Sequence, residues 1–154
     1  MSISVILASA DEKLRLRGAL KDYLAELRRY GEVSAEYPFF EAYWLDDDRW
    51  PYMIEVDGQL AGFALVNTWS ASRLGTDFAL AEFYVLPGFR RSEIGRRAFA
   101  ALLDKHRGIW ELSVVSKNEA AKTFWQRSIA AADIKIMEHC IIGDEIIYRF
   151  ETID

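Results

Sequence analysis

Apolar and polar residues alternate along this chain in two periods, one matching strands and the other helices. Ile3 to Ala10 is a short apolar run that reads as a strand. Ser9-Ala10-Asp11-Glu12 then has the S-x-x-E form of a capping box, and Leu16, Leu20, Tyr23, Leu24 and Leu27 recur at helical spacing until Gly31 stops the helix. A second helical stretch, Pro38 to Leu45, carries Phe39, Phe40, Tyr43 and Trp44 before the acidic run Asp46-Asp47-Asp48. Strands follow at Tyr52 to Val56, Leu60 to Thr68 and Phe78 to Leu86, the first two joined by a turn at Asp57-Gly58. Pro87-Gly88 ends the third, and Ile94, Ala98, Ala101 and Leu102 mark a helix running to about His106. Ile109 to Val115 reads as a buried strand. Asn118 opens a helix with Ala121, Phe124, Trp125 and Ser128 on its inner face. Ile134 to Ile142 and Glu145 to Thr152 flank Gly143-Asp144 as a closing hairpin. The order β-α-α-β-β-β-α-β-α-β-β predicts an α/β fold: a mixed, mostly antiparallel central sheet of about seven strands with helices on both faces.

Composition narrows this picture. A chain of 154 residues, 51% hydrophobic and with five Trp, nine Phe and seven Tyr, can bury one sizeable core, so residues 1–154 are expected to form a single domain. Cys140 is the single cysteine, and no clustered Cys/His spacing suggests a metal site, so a reducing cytoplasm is the expected location. Cys140 and His139 are adjacent on one strand and point to opposite faces, which argues against a nucleophile pair. No apolar stretch approaches the length of a membrane span. The net charge of −5 argues against nucleic acid as a partner.

That acidic chain nevertheless concentrates Arg90, Arg91, Arg96 and Arg97 in one short segment, Val85-Leu86-Pro87-Gly88-Phe89-Arg90-Arg91-Ser92-Glu93-Ile94-Gly95-Arg96-Arg97. A strand ends there and a helix begins, so unpaired backbone N–H groups and the positive helix end converge among arginines. Such a junction suits a pyrophosphate; an ordinary turn with a solvated basic face is the plain alternative.

The segment resembles the acetyl-CoA motif of the GNAT (GCN5-related N-acetyltransferase) family, Val-x-Pro followed by Arg/Gln-x-x-Gly-x-Gly/Ala. Arg90 and Gly95 match, and Glu93 stands where the family has its first Gly. Asn118-x-x-Ala121-x-x-Phe124-Trp125 is similar to the family's Asn-x-x-Ala-x-x-Phe-Tyr. The likeness spans the chain, most strongly from Phe78 to Trp125, and extends to uncharacterised bacterial acetyltransferases. It implies an acetyl-CoA-dependent N-acetyltransferase that passes the acetyl group directly to a primary amine, of a small molecule or a peptide, in a ternary complex. The pantetheine arm would pair with backbone groups of Phe83 and Val85 in a splay between the strands Phe78–Leu86 and Ile109–Val115. Amides from Arg90 through Arg91, Ser92, Glu93 and Ile94 to Gly95 would hold the pyrophosphate, with Arg90, Arg91 or Arg96 supplying charge. Asn118 would anchor the arm or fix the splay; as a residue it is equally a helix N-cap. A homodimer is left open. The rival reading is a domain that binds acyl-CoA as a sensor, or serves as an interaction module, with weak catalysis.

Transfer from a thioester needs a neutral amine, a donor for the developing oxyanion and a fate for the thiolate. The N–H of Val85 is the expected oxyanion donor. Glu82 and Glu111, on the two strands of the presumed splay, are the candidate bases, and a surface or salt-bridged carboxylate is the alternative for each. Trp125 replaces the family's acidic Tyr, and an indole can donate a hydrogen bond without giving up its proton. Trp125 would therefore steady the sulfur, Tyr84 would protonate it, or the thiolate would leave unassisted. The aromatic stretch at Phe39 to Trp44 with Asp46, Asp47 and Asp48 would suit a cationic acceptor, although an aromatic core helix before a solvated acidic loop is the commoner arrangement.

Overall fold

The computed structural model describes residues 2–34 and 36–153; Met1, Ala35 and Asp154, among them both ends of the expected domain, lie outside the described residues. Its elements are β1 (Ile3–Leu7), α1 (Lys13–Leu27), α2 (Ala42–Leu45), β2 (Trp50–Val56), β3 (Gln59–Asn67), β4 (Phe78–Val85), α3 (Ile94–Lys105), β5 (Ile109–Val115), α4 (Glu119–Ala131), β6 (Ile134–Ile142) and β7 (Glu145–Thr152). This is the order the periodicity predicts. The strands form one seven-stranded sheet in the order β1-β2-β3-β4-β5-β7-β6. It is mixed, because β4 and β5 run parallel, through Phe78↔Trp110, Ala79↔Glu111 and Leu80↔Leu112, while β1/β2, β2/β3, β5/β7 and β6/β7 are antiparallel.

Local chemistry accounts for several boundaries. The Glu12 carboxylate accepts from the Ser9 N–H at 2.9 Å, the predicted capping contact, but it closes a 3-10 turn (Ala10–Glu12) that leads into α1. Asn118 caps α4 by accepting from the Ala121 N–H at 3.0 Å. The second helix is shorter than expected: α2 covers Ala42–Leu45, and the residues from Pro38 to Glu41 form turns.

The residues gather in two compact units, Met1–Val66 with Glu82–Ala98 and Asn67–Ala81 with Phe99–Asp154. The chain passes between them inside β4 and inside α3, so neither unit is a contiguous segment. In the first unit, Leu16, Leu20 and Leu24 of α1 and Phe40 and Tyr43 near α2 pack with Met53, Phe63, Leu65 and Tyr84 of the sheet. Met53 and Ile54 are both fully buried, as are Phe63 and Ala64. Since neighbours on a strand point to opposite faces, β2 and β3 are covered on both. In the second unit, Phe99 of α3 meets Trp125 of α4 and Phe150 of β7 edge-on, with centroids 5.1 and 5.8 Å apart.

Candidate active site

β4 carries the first group of candidate residues, and its far end is fixed by β3. Opposite the β2 register shift at Ile54/Glu55, Ala61 is the unpaired residue of β3, and its carbonyl accepts the Leu86 N–H at 2.7 Å. A Cβ on the adjacent Gly62 would collide with the Tyr84 carbonyl oxygen, so only glycine permits this approach. Glu82 and Tyr84, two residues apart, face the same side as α1. Tyr23 of α1 donates to Glu82 Oε1 at 2.9 Å, and Tyr37 donates to Oε2 at 3.0 Å. Tyr84 is buried, its ring 5.4 Å from that of Tyr23.

After β4, a 3-10 turn at Pro87–Phe89 leads to the arginine segment. Arg90, although exposed, has fixed partners within the fold. Its Nε donates to the Val85 carbonyl at 2.8 Å, its two terminal nitrogens form a forked pair with Glu26 of α1 at 2.9 and 2.8 Å, and it lies over the Tyr84 ring. Arg91 and Glu93 both adopt left-handed backbone, with φ of 67° and 64°. That conformation is the physical reason a glycine suits position 93. The Glu93 carboxylate turns to Arg96 at 2.8 Å, and the Arg97 N–H donates to the Glu93 carbonyl at 3.0 Å as α3 begins. Among the described residues Arg91 and Arg97 make no ion pair, and both are exposed. Ser92 donates its hydroxyl to the Phe89 carbonyl at 3.0 Å, while Ile94 and Gly95 are buried at the helix start. Two left-handed residues leading into a helix N-terminus beside arginines make a junction of the kind where backbone N–H groups can meet an anion.

The residues from 17 to 129 match the family described as Acetyltransferase (GNAT) family. The chain belongs to the GNAT family. Its fold agrees: an acetyltransferase of the GNAT family from Streptococcus agalactiae superposes with TM-score 0.74 at 14% identity, over 99% of this chain and 96% of that one. YncA of Salmonella typhimurium, solved with its cofactor acetyl-CoA, gives 0.66 at 13% identity over 100% and 95%. Diaminobutyrate acetyltransferase EctA of Paenibacillus lautus, in complex with L-2,4-diaminobutyric acid and coenzyme A, gives 0.64 at 14% over 97% and 95%. None of the curated proteins matches the sequence.

Seen as a GNAT protein, the chain departs from the family pattern in ways its geometry explains. Tyr84 is a poor acid here, because burial and the charge of Glu26, to which its hydroxyl turns, push its pKa up. Arg90, the family's first motif position, is held as a strut between β4 and α1, and Arg96 is occupied by Glu93. Of the arginines expected to supply charge, this leaves Arg91.

The second unit holds the remaining candidates. Glu111 is almost fully buried and receives Arg149 Nε at 2.9 Å, the Ser70 hydroxyl at 3.0 Å, and the Ser72 hydroxyl and N–H at 2.7 and 3.2 Å. Burial pushes its carboxyl up, but the Ser72 hydroxyl, Arg149, the Ser72 amide and Ser70 together outweigh this, and the carboxyl lies below the usual range. Arg149 also donates to the Gly75 carbonyl at 2.9 Å. Glu111 thus fastens the loop after β3. Trp125 is buried, with its ring 5.1 Å from Phe99 and 4.8 Å from Phe124.

The aromatic and acidic stretch expected to receive a cationic acceptor is already supplied with cations of this chain. Lys13 lies over Trp44, Arg17 over Phe40, and Arg49 against both Phe39 and Tyr43, while Asp46 pairs with Arg49 at 3.2 Å. Sequence reasoning missed the tyrosines around Glu82. Tyr23 lies on the apolar stripe of α1, where it reads as core, and Tyr37 lies outside any periodic segment.

Proposed function

We propose that this chain transfers the acetyl group of acetyl-CoA to a primary amine, of a small molecule or peptide, by direct attack in a ternary complex, with Glu82 as the general base. The observation that carries the reading is the placement of Glu82 on β4, the strand that leads directly into the arginine loop, with both carboxylate oxygens already oriented. The similar structures solved with acetyl-CoA, or with coenzyme A and L-2,4-diaminobutyric acid, support the same pairing of substrates.

The residues fit acetyl-CoA. Backbone amides from Arg90 to Gly95, two of them on left-handed residues, suit the pyrophosphate, and the exposed Arg91 can supply charge to it. Backbone groups of Phe83 and Val85 pair with the pantetheine arm, and the Val85 N–H donates to the thioester oxygen as charge develops on it. Asn118 serves as the cap of α4, and Trp125 packs against Phe99 and Phe124. Glu82 takes the proton of the incoming ammonium, directly or through one water. The thiolate leaves unassisted, since a thiol pKa near ~8.5 makes it a competent leaving group.

Purified protein is incubated with acetyl-CoA and a panel of primary amines that includes L-2,4-diaminobutyric acid and an unblocked peptide, and the released CoA thiol is followed. Thiol release that depends on an amine is the expected result. With a competent amine, Glu82→Gln should lower turnover by about 10²–10⁴-fold near neutral pH with little change in acetyl-CoA affinity, and partly recover at higher pH. An unchanged rate removes Glu82 from the role. Acetyl-CoA binding without turnover on any amine would overturn the enzymatic reading in favour of a sensor.

A further inference from the structure

We infer that Tyr23 and Tyr37 are positioning residues that hold the Glu82 carboxylate ionised and in one orientation for proton transfer; this rests on Glu82 acting as the base. Each oxygen has its own donor, Tyr23 on Oε1 at 2.9 Å and Tyr37 on Oε2 at 3.0 Å. The Tyr23 ring is set by the core: it meets Phe63 edge-on at 5.5 Å and lies tilted against Tyr84 at 5.4 Å. Its hydroxyl also meets the Phe83 backbone, which holds it in place beside Glu82. Tyr37 comes from the segment between α1 and α2 and shares a side-chain hydrogen bond with Tyr43. The titratable groups facing this cluster are Glu26 and Tyr84 beside Tyr23, and Tyr43 beside Tyr37.

Both phenols are held protonated. Burial first, and then the charge of Glu82, push each of them far above the ordinary tyrosine value. They consequently remain donors throughout the range in which an acetyltransferase works. Two neutral donors on a partly buried carboxylate favour its charged form and offset the loss of water around it. A phenylalanine would fill the same space and supply neither donor.

The arrangement also accommodates the proton once it arrives. When Glu82 accepts a proton from the acceptor's ammonium, the new O–H forms on one carboxyl oxygen, and the N–H bond is the one that breaks. If this occurs on Oε2, the Tyr37 hydroxyl turns its hydrogen away and accepts instead, with Tyr43 within its reach. Release of the proton to water restores the carboxylate and the starting orientation. No heavy atom has to move.

The test follows the Glu82 carboxyl carbon directly. The protein is labelled with ¹³C at glutamate Cδ, the Glu82 resonance is assigned by its loss in Glu82→Gln, and its titration is compared among wild type, Tyr23→Phe, Tyr37→Phe and the double variant. Each single variant should move the midpoint to higher pH by at least about half a unit, and the double variant further. With an amine that the wild type acetylates, the acid limb of the rate profile should move in the same direction while the Kd for acetyl-CoA stays constant. A midpoint unchanged in both single variants, with the fold intact, overturns the inference. If Glu82→Gln is slow but the tyrosine variants keep the wild-type acid limb, the clamp fails and the base reading stands. If Glu82→Gln keeps full activity, both fail.

Discussion

Glu93 holds a backbone conformation that costs a non-glycine residue roughly 1–2 kcal/mol, and it brings a negative charge to the loop proposed to hold the pyrophosphate. Its pairing with Arg96 turns the carboxylate aside and at the same time occupies an arginine. Glu93→Gly should therefore tighten acetyl-CoA binding by about fivefold at low salt, the effect of roughly 1 kcal/mol of removed repulsion, and the gain should shrink as salt rises. Titration calorimetry at two ionic strengths measures both; equal Kd values for the variant and wild type would show that the Glu93 charge does not reach the anion. The neighbouring arginines should separate cleanly. Arg91→Ala should weaken acetyl-CoA binding with an unchanged melting temperature, because its side chain makes no ion pair in the fold. Arg90→Ala should lower stability by about 1 kcal/mol, since a forked pair to Glu26 and a bond to the Val85 carbonyl are lost. The reverse pattern would mean that Arg90 leaves Glu26 to meet the coenzyme.

At the scale of elements, the end of β4 is positioned by β3 rather than by its own sequence. Leu86 bonds to the bulged Ala61, and the bare Cα of Gly62 lets the Tyr84 carbonyl come close. Gly62→Ala should cost about 2–4 kcal/mol, well beyond an ordinary strand substitution, because a fixed backbone atom and not a flexible side chain stands in the way. Denaturant unfolding checks the magnitude. The variant should also bind acetyl-CoA more weakly, since Val85 and the arginine loop follow directly from that contact. A loss near zero would show that β4 can shift without penalty. The loop after β3 is held in a comparable way from the other side of the sequence: Glu111 of β5 gathers Ser70 and Ser72, and Arg149 of β7 holds Gly75.

For the whole molecule, the ion pairs that organise each unit make stability depend on acid. Glu26 is held low chiefly by its bond from Arg90, and Glu111 is held low although burial opposes it. A carboxyl with a depressed pKa in the folded protein binds fewer protons there than in the unfolded chain. Its stabilisation is fully present above the unfolded value near ~4.3 and disappears as pH falls through the folded value. The melting temperature should accordingly be flat near neutrality and fall below about pH 4.5. Glu111→Gln should lower stability at pH 7 by about 3 kcal/mol, because the buried Arg149 loses its buried counter-charge and keeps only the exposed Glu138 at 3.3 Å, and it should flatten the acid decline. Scanning calorimetry from pH 3 to 7 on both proteins checks the two statements together. An unchanged acid limb in the variant would assign the decline to other carboxylates. No helix of the described residues is long and apolar enough to cross a membrane.

Element order, most strand limits and the Asn118 cap were readable from the chain because each depends on residues a few positions apart, where periodicity and capping act. The arginine segment was readable for the same reason: strand end, turn and helix start are consecutive. Gly62 inside the strand Leu60 to Thr68 is a signal of close backbone approach that the periodicity reading did not use, and it marks the place where β3 shapes β4. What the carboxylates and arginines do was decided by the tertiary structure. Tyr23 lies 59 positions from Glu82, Glu26 lies 64 from Arg90, and Glu111 lies 38 from Arg149. A charge takes the partner that the fold brings within hydrogen-bond distance, and no local pattern encodes which one that is. The same residue types therefore became an oriented carboxylate at Glu82, a strut at Arg90 and a buried anchor at Glu111.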